Sequence, residues 1–145
     1  MQKIMYDSTI VKIEEELRCV CTKIKREGRN ILSDLGITPP QFEALQYLIK
    51  CSDLTISELS KKMHLACSTI TDLVNRMEKK LLVKRIKGTK DRRIIKIVVL
   101  ERGYETIEEV LIMRRNYLSI LLNDLDDEQR MVLTDGISLL YNKVV

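Results

Sequence analysis

The periodicity of this chain changes character once. Helix-spaced apolar residues run through it except between Leu82 and Leu100. There, residues 82–87 and 94–100 read as two β-branched strands around a charged tip at 88–93. The order is four helices, a hairpin and two helices, so the expected class is mainly α with a single β-ribbon. A length of 145 residues suits one domain, residues 1–145, with a real hydrophobic core.

Residues 7–35 read as one long helix. Ile10, Ile13, Leu17, Val20 and Ile24 advance in alternating steps of three and four, the mark of an apolar stripe. Asp7 or Ser8 can cap its start, and Gly36 sits where a helix end favours a left-handed residue. About 25 residues at ~1.5 Å each span roughly 37 Å, long for so small a domain. A helix that overhangs its own core is expected to lay its stripe on a second chain. Thr38 with Gln41, Thr55 with Glu58 and Asp126 with Gln129 each have the spacing of a capping box and open further helices. Another helix is expected from about Ser68 to Lys80, and another over residues 103–123.

Charge is distributed unevenly. The net charge of +4 means little alone, but residues 61–96 hold twelve Lys/Arg against three acids, Asp72, Glu78 and Asp91. The rest of the chain is acidic on balance. A basic excess confined to one segment is the footprint of a phosphate-binding face. Within it, residues 84–96 carry seven Lys/Arg and one acid on the hairpin. Like charges so close repel unless an anion neutralises them, and DNA phosphate is the obvious one.

Residues 56–80 have the pattern of a helix-turn-helix, two short helices crossing steeply so that the second can enter the major groove. Leu59, Met63, Leu65, Ile70, Leu73, Val74 and Met77 are the expected locking contacts, and Ser60 is small where the helices approach. Ser68, Thr69, Thr71, Asp72, Asn75 and Arg76 would face outward, able to bond phosphates or base edges. Lys84, Lys87, Lys90, Arg92 and Arg93 are the cations of the ribbon, and a guanidinium at its tip suits a narrow minor groove.

Residues 38–103 resemble the MarR family of bacterial winged-helix regulators. The resemblance runs through Leu59-Ser60-Lys61-Lys62-Met63, Ser68-Thr69-Ile70-Thr71, Arg76-Met77-Glu78-Lys79-Lys80, Leu82-Val83-Lys84-Arg85, Asp91-Arg92-Arg93 and Leu100-Glu101-Arg102-Gly103. It implies a homodimer whose end segments, 1–36 and 103–145, interlock around a winged helix-turn-helix lobe at 37–102. It implies a repressor on double-stranded DNA, with Ser68, Thr69, Thr71, Asn75 and Arg76 at the major groove or nearby phosphates and Arg93 in the minor groove. Asp91 is expected to shape the wing by pairing a neighbouring arginine. A small-molecule effector is implied by the family alone, with Tyr47, Met113 and Tyr117 near its usual place and core packing as their plainer role. No cofactor is implied.

Four positions depart from the family pattern. Leu81 stands where glycine usually follows the recognition helix, and a left-handed leucine costs roughly 1 kcal/mol. His64 takes a usual turn glycine and is read as structural, because histidine tolerates positive φ better than most residues. Ala66 replaces a capping serine. Asp72 puts a carboxylate toward DNA, which repels phosphate unless it accepts from a cytosine amino group.

Other classes find less support. The four cysteines, Cys19, Cys21, Cys51 and Cys67, form no disulfide or zinc spacing, and His64 is the only histidine. One histidine and five glycines leave little from which to build an enzyme site. Two alternatives stay open. One is a thiol-based redox switch at Cys19, with Cys21 covered alongside Leu17. The other is a winged-helix module that binds protein, which Asp72 favours and the basic wing opposes. With no apolar run of membrane length and no signal-like N-terminus, the cytoplasm is the expected location.

Overall fold

A computed structural model describes residues 6–145; residues 1–5, the beginning of the 1–36 segment, lie outside it. Helix α1 (Ser8–Asp34) opens where Asp7 accepts a bond from the Thr9 amide at 2.8 Å. It closes before Gly36, whose φ of 66° ends the helix in the left-handed region. Helix α2 (Pro39–Lys50) starts at a complete capping box of Thr38 and Gln41, and α3 (Ile56–Met63) at one of Thr55 and Glu58. Helix α4 (Cys67–Lys79) is followed by strands β2 (Val83–Lys87) and β3 (Ile95–Val99) and by helix α5 (Glu101–Leu121). Helix α6 (Asp127–Val144) opens at the third box, Asp126 with Gln129. The class is mainly α with a small antiparallel sheet, as the periodicity implied.

One strand was not legible. Strand β1 (Leu54–Thr55) pairs antiparallel with β3, Leu54 opposite Ile97 and Thr55 opposite Lys96, and gives the sheet order β1-β3-β2. Two residues carry no period, and one of them, Thr55, is also the cap of α3.

The chain divides into two compact units, residues up to Val110 and residues 111–145. In the first, the core lies among α2, α3, α4 and the sheet. Leu45, Leu59, Ile70, Val74, Met77, Val83 and Ile97 are fully buried there. Gly103 sits where α5 leaves the sheet. A Cβ at that position would stand 2.5 Å from the Leu82 carbonyl oxygen and 2.6 Å from Val99 Cγ1, so only glycine lets helix and sheet approach this closely. The spacing from Leu100 to Gly103 has the same origin, since the Leu100 amide donates to the Leu82 carbonyl at 2.9 Å and the Gly103 amide to Leu100 at 2.8 Å.

The N-terminal two-thirds of α1 contribute nothing to this core. Ile10, Ile13, Leu17, Val20 and Ile24 are all exposed, and only Ile31 and Leu32 at the far end are buried. In the second unit, Leu111, Met113, Tyr117, Leu122 and Leu125 are half-buried, while α6 has no buried residue. The Arg130 guanidinium closes the α5–α6 turn by donating to the carbonyls of Leu125 at 3.1 Å and Leu122 at 3.2 Å. Among the described residues no helix is long and apolar enough to cross a membrane.

Candidate nucleic-acid interface

The turn between α3 and α4 is built by backbone conformation. His64 caps α3 at φ 53°, ψ 39°, a left-handed geometry that histidine adopts more readily than branched residues. Ser60 does more than leave room. Its hydroxyl donates to the Leu65 carbonyl at 2.6 Å, and its own carbonyl accepts the Leu65 amide at 3.1 Å. Leu65 was expected among the locking contacts, but its backbone carries the turn and its side chain is exposed. Leu73 is half-buried, and Leu59, Met63, Ile70, Val74 and Met77 are buried as expected. Ala66 precedes α4 without a side-chain cap, as its lack of a polar side chain requires.

With Ile70, Val74 and Met77 inward, the opposite face of α4 is open. Ser68, Thr69, Asp72, Asn75 and Arg76 are exposed there, and Thr71 is half-buried with its hydroxyl on the Cys67 carbonyl at 2.8 Å. That bond uses the only proton of Thr71 and leaves lone pairs to accept. Asp72 and Arg76, one turn apart, form no ion pair within 4.0 Å.

The wing is pinned to α4 by a pair that the sequence pattern did not single out. The Arg85 guanidinium meets the Glu78 carboxylate, its backbone amide donates to the other Glu78 oxygen at 3.0 Å, and its Nη2 donates to Asn75 Oδ1 at 2.9 Å. Side-chain exposures of 26% for Arg85 and 32% for Glu78 put this pair partly out of solvent, where it holds better than a surface bridge. Because side chains alternate along a strand, Lys84 lies on the face of the sheet opposite Arg85, away from α4. Lys84 is therefore not brought together with the α4 residues. Lys87 shares the Arg85 face, and Lys87, Lys90, Arg92 and Arg93 are all exposed along the ribbon and its tip.

Asp91 shapes the tip by a different bond from the one expected. Its carboxylate accepts the Arg93 backbone amide at 2.9 Å, and its carbonyl accepts the Ile94 amide at 3.2 Å. Asp and Asn commonly bond the backbone two residues on in such turns. The Arg93 side chain is left to solvent. Gly88 closes the ribbon by donating to the Ile94 carbonyl at 2.8 Å, and a Cβ there would stand 2.6 Å from the Asp91 carbonyl oxygen.

The cost of a left-handed leucine pointed to a different turn at Leu81, yet Leu81 takes the left-handed conformation of the glycine it replaces, φ 59° on a largely exposed side chain. Lys80 belongs to the fold instead of the open face. Its ammonium bonds the Gly36 carbonyl and, at 3.1 Å, the Oε1 of Gln41, tying the end of α4 to the α1–α2 corner. All four cysteines are free. Cys21, expected to be covered beside Leu17, is exposed like Cys19, as are the stripe residues Leu17, Val20 and Ile24 around it. Cys67 is exposed and Cys51 half-buried. Tyr47, Met113 and Tyr117 are each half-buried. Among the described residues no group of three or more His, Cys, Asp or Glu could hold a metal ion.

Two crossed helices, a tight turn and a basic β-ribbon locked to the second helix define a winged helix-turn-helix protein. The pattern of the MarR family matches residues 37–95, and the chain belongs to that family of transcriptional regulators, which are not enzymes. It is 42% identical over 93% of its length, and 92% of the other's, to the uncharacterized HTH-type transcriptional regulator YsmB of Bacillus subtilis. It is 31% identical to the HTH-type transcriptional repressor MdtR of the same organism, over 86% of this chain and 81% of that one. A MarR family protein from Bacillus stearothermophilus has the same fold, with a TM-score of 0.80 and 41% identity across 97% of this chain and 99% of its own.

Proposed function

We propose that the chain is a homodimeric repressor that reads a pseudo-palindromic operator in double-stranded DNA. The observation carrying this reading is one continuous exposed surface. The polar face of α4 stands beside a wing that exposes Lys87, Lys90, Arg92 and Arg93, and Arg85 fastens the two together. In this reading Ser68, Thr69, Thr71, Asn75 and Arg76 face the major groove or its phosphates. Lys87, Lys90 and Arg92 neutralise flanking phosphates, Arg93 enters the minor groove, and Lys84 reaches only a phosphate beyond the far face of the sheet. Asp72 accepts from a cytosine amino group, the one base-edge donor pattern that suits a carboxylate.

The homodimer is supported by the exposed stripe of α1 and, separately, by α6, where Met131, Val132, Ile137, Leu139 and Tyr141 stand in solvent. Apolar surface on that scale marks an interface. A two-fold dimer of such lobes presents its recognition helices about 34 Å apart, one turn of the duplex, so operator symmetry follows protein symmetry. The sign of regulation is supported by the likeness to MdtR. Tuning by a small-molecule effector rests on the family resemblance alone. The place of work is the cytoplasm, where the DNA is.

Fluorescence anisotropy with the DNA upstream of the chain's own gene, against scrambled DNA and over a salt series, tests this reading. Binding should prefer the native sequence and weaken steeply with salt, because each phosphate contact releases counterions. Arg93→Ala should lose about 1–3 kcal/mol of affinity if the guanidinium reads the groove. Weak, salt-insensitive binding without preference, across genomic fragments, would instead favour a wing that binds protein.

A further inference from the structure

The bond between Arg85 and Asn75 constrains more than the position of the wing. Asn75 lies on the exposed face of α4, one helical turn from Asp72, and its Oδ1 accepts Arg85 Nη2 at 2.9 Å. A guanidinium has donors only, so the amide cannot present its NH2 group to Arg85. Arg85 is itself held by both oxygens of Glu78, one accepting from its guanidinium and the other from its backbone amide. The Asn75 amide is therefore fixed with its oxygen toward the wing and its two N–H donors toward the open face.

Asparagine commonly reads adenine by a bidentate contact that uses both amide atoms, oxygen to N6 and nitrogen to N7. With Oδ1 turned toward the wing and one of its two lone pairs engaged, Asn75 presents its N–H donors to the open face. Guanine presents two adjacent acceptors, O6 and N7, in the major groove, whereas adenine presents one acceptor and one donor. We infer that Arg85 is a positioning residue for base readout, holding Asn75 donor-outward so that it selects guanine over adenine. The inference rests on the reading of α4 as the helix that enters the major groove.

The test uses the full-length wild type, Asn75→Ala, Arg85→Met and Arg85→Lys, with circular dichroism on each. Each is titrated at one fixed salt concentration against the upstream duplex identified above and its single-base-pair variants. At one position in each half-site, guanine to adenine should weaken the wild type at least about fivefold. Asn75→Ala should abolish that difference. Arg85→Met, which cannot donate, should abolish it or turn it toward adenine. Arg85→Lys, which still donates to the amide oxygen, should keep it, and discrimination at other positions should not move.

Three results would overturn the inference: adenine preferred at the position that Asn75→Ala makes indifferent, a folded Arg85→Met with the guanine preference intact, or no position altered by Asn75→Ala. If Arg85→Met does not fold, the identity of the base read by the wild type decides alone. A wild type that prefers no duplex removes the DNA reading and this inference with it. The other failures leave salt-steep operator binding in place, so the two are told apart.

Discussion

The winged lobe and the long first helix use the same kinds of apolar residue to opposite effect. In the lobe, Leu59, Ile70, Val74, Met77 and Ile97 are fully buried by neighbours close in the same chain. Along α1, Ile10, Ile13 and Val20 are each more than half exposed although they form as regular a stripe. Helical periodicity shows that a face will be covered and is silent on what covers it. The lobe finishes its own core, and α1 keeps an apolar face open for another surface.

The first way to break that contrast is in the lobe. Leu59→Ala should lose about 2–5 kcal/mol of stability in denaturant unfolding, because it empties a fully enclosed site. That loss should be the same at every protein concentration if the lobe's core is intrachain. A destabilisation that shrank as concentration rose would mean that a second copy shares this core.

A smaller effect of opposite sign is expected next to it. Leu81 holds φ 59° with its side chain mostly in solvent, so Leu81→Gly relieves left-handed strain while giving up little burial. Thermal unfolding should show a gain of up to about 1 kcal/mol. A loss would show that the exposed leucine is covered in the assembled protein.

The smallest effect concerns the cap of α3. The Thr55 backbone amide and hydroxyl, bonding Glu58, hold its carboxyl below the usual carboxylate value. A depressed folded value means stability that is present above the unfolded pKa and lost as pH falls through the folded one. The stability gap between wild type and Glu58→Ala should be constant near neutrality and close on acidification. A gap that persisted at low pH would assign the effect of the substitution to helix propensity instead.

What was legible in the sequence divides along the same line of locality. All three capping boxes, the left-handed His64 and the uncapped Ala66 follow from neighbours within a few residues. The roles of Glu78, Arg85 and Lys80 do not. Their partners lie seven to forty-four residues away, so only the folded chain shows that three members of the basic segment, Lys80, Arg85 and Lys96 (paired with Asp53), are engaged within the chain. Glu78 was visible as one of three acids among twelve bases, a hint that a cation nearby needed a partner. Strand β1 escaped because it has no length, and Leu65 because a turn residue can be apolar without facing inward.

The most direct test of a DNA-reading dimer is Leu17→Asp, which places a charge in the middle of the open α1 stripe without touching the lobe. Sedimentation equilibrium with a labelled operator duplex reads both stoichiometry and affinity. The wild type should carry two chains per duplex, and the variant should sediment as a monomer with operator binding lost or reduced to single half-sites. A monomeric variant that bound the operator as tightly as the wild type would contradict the account.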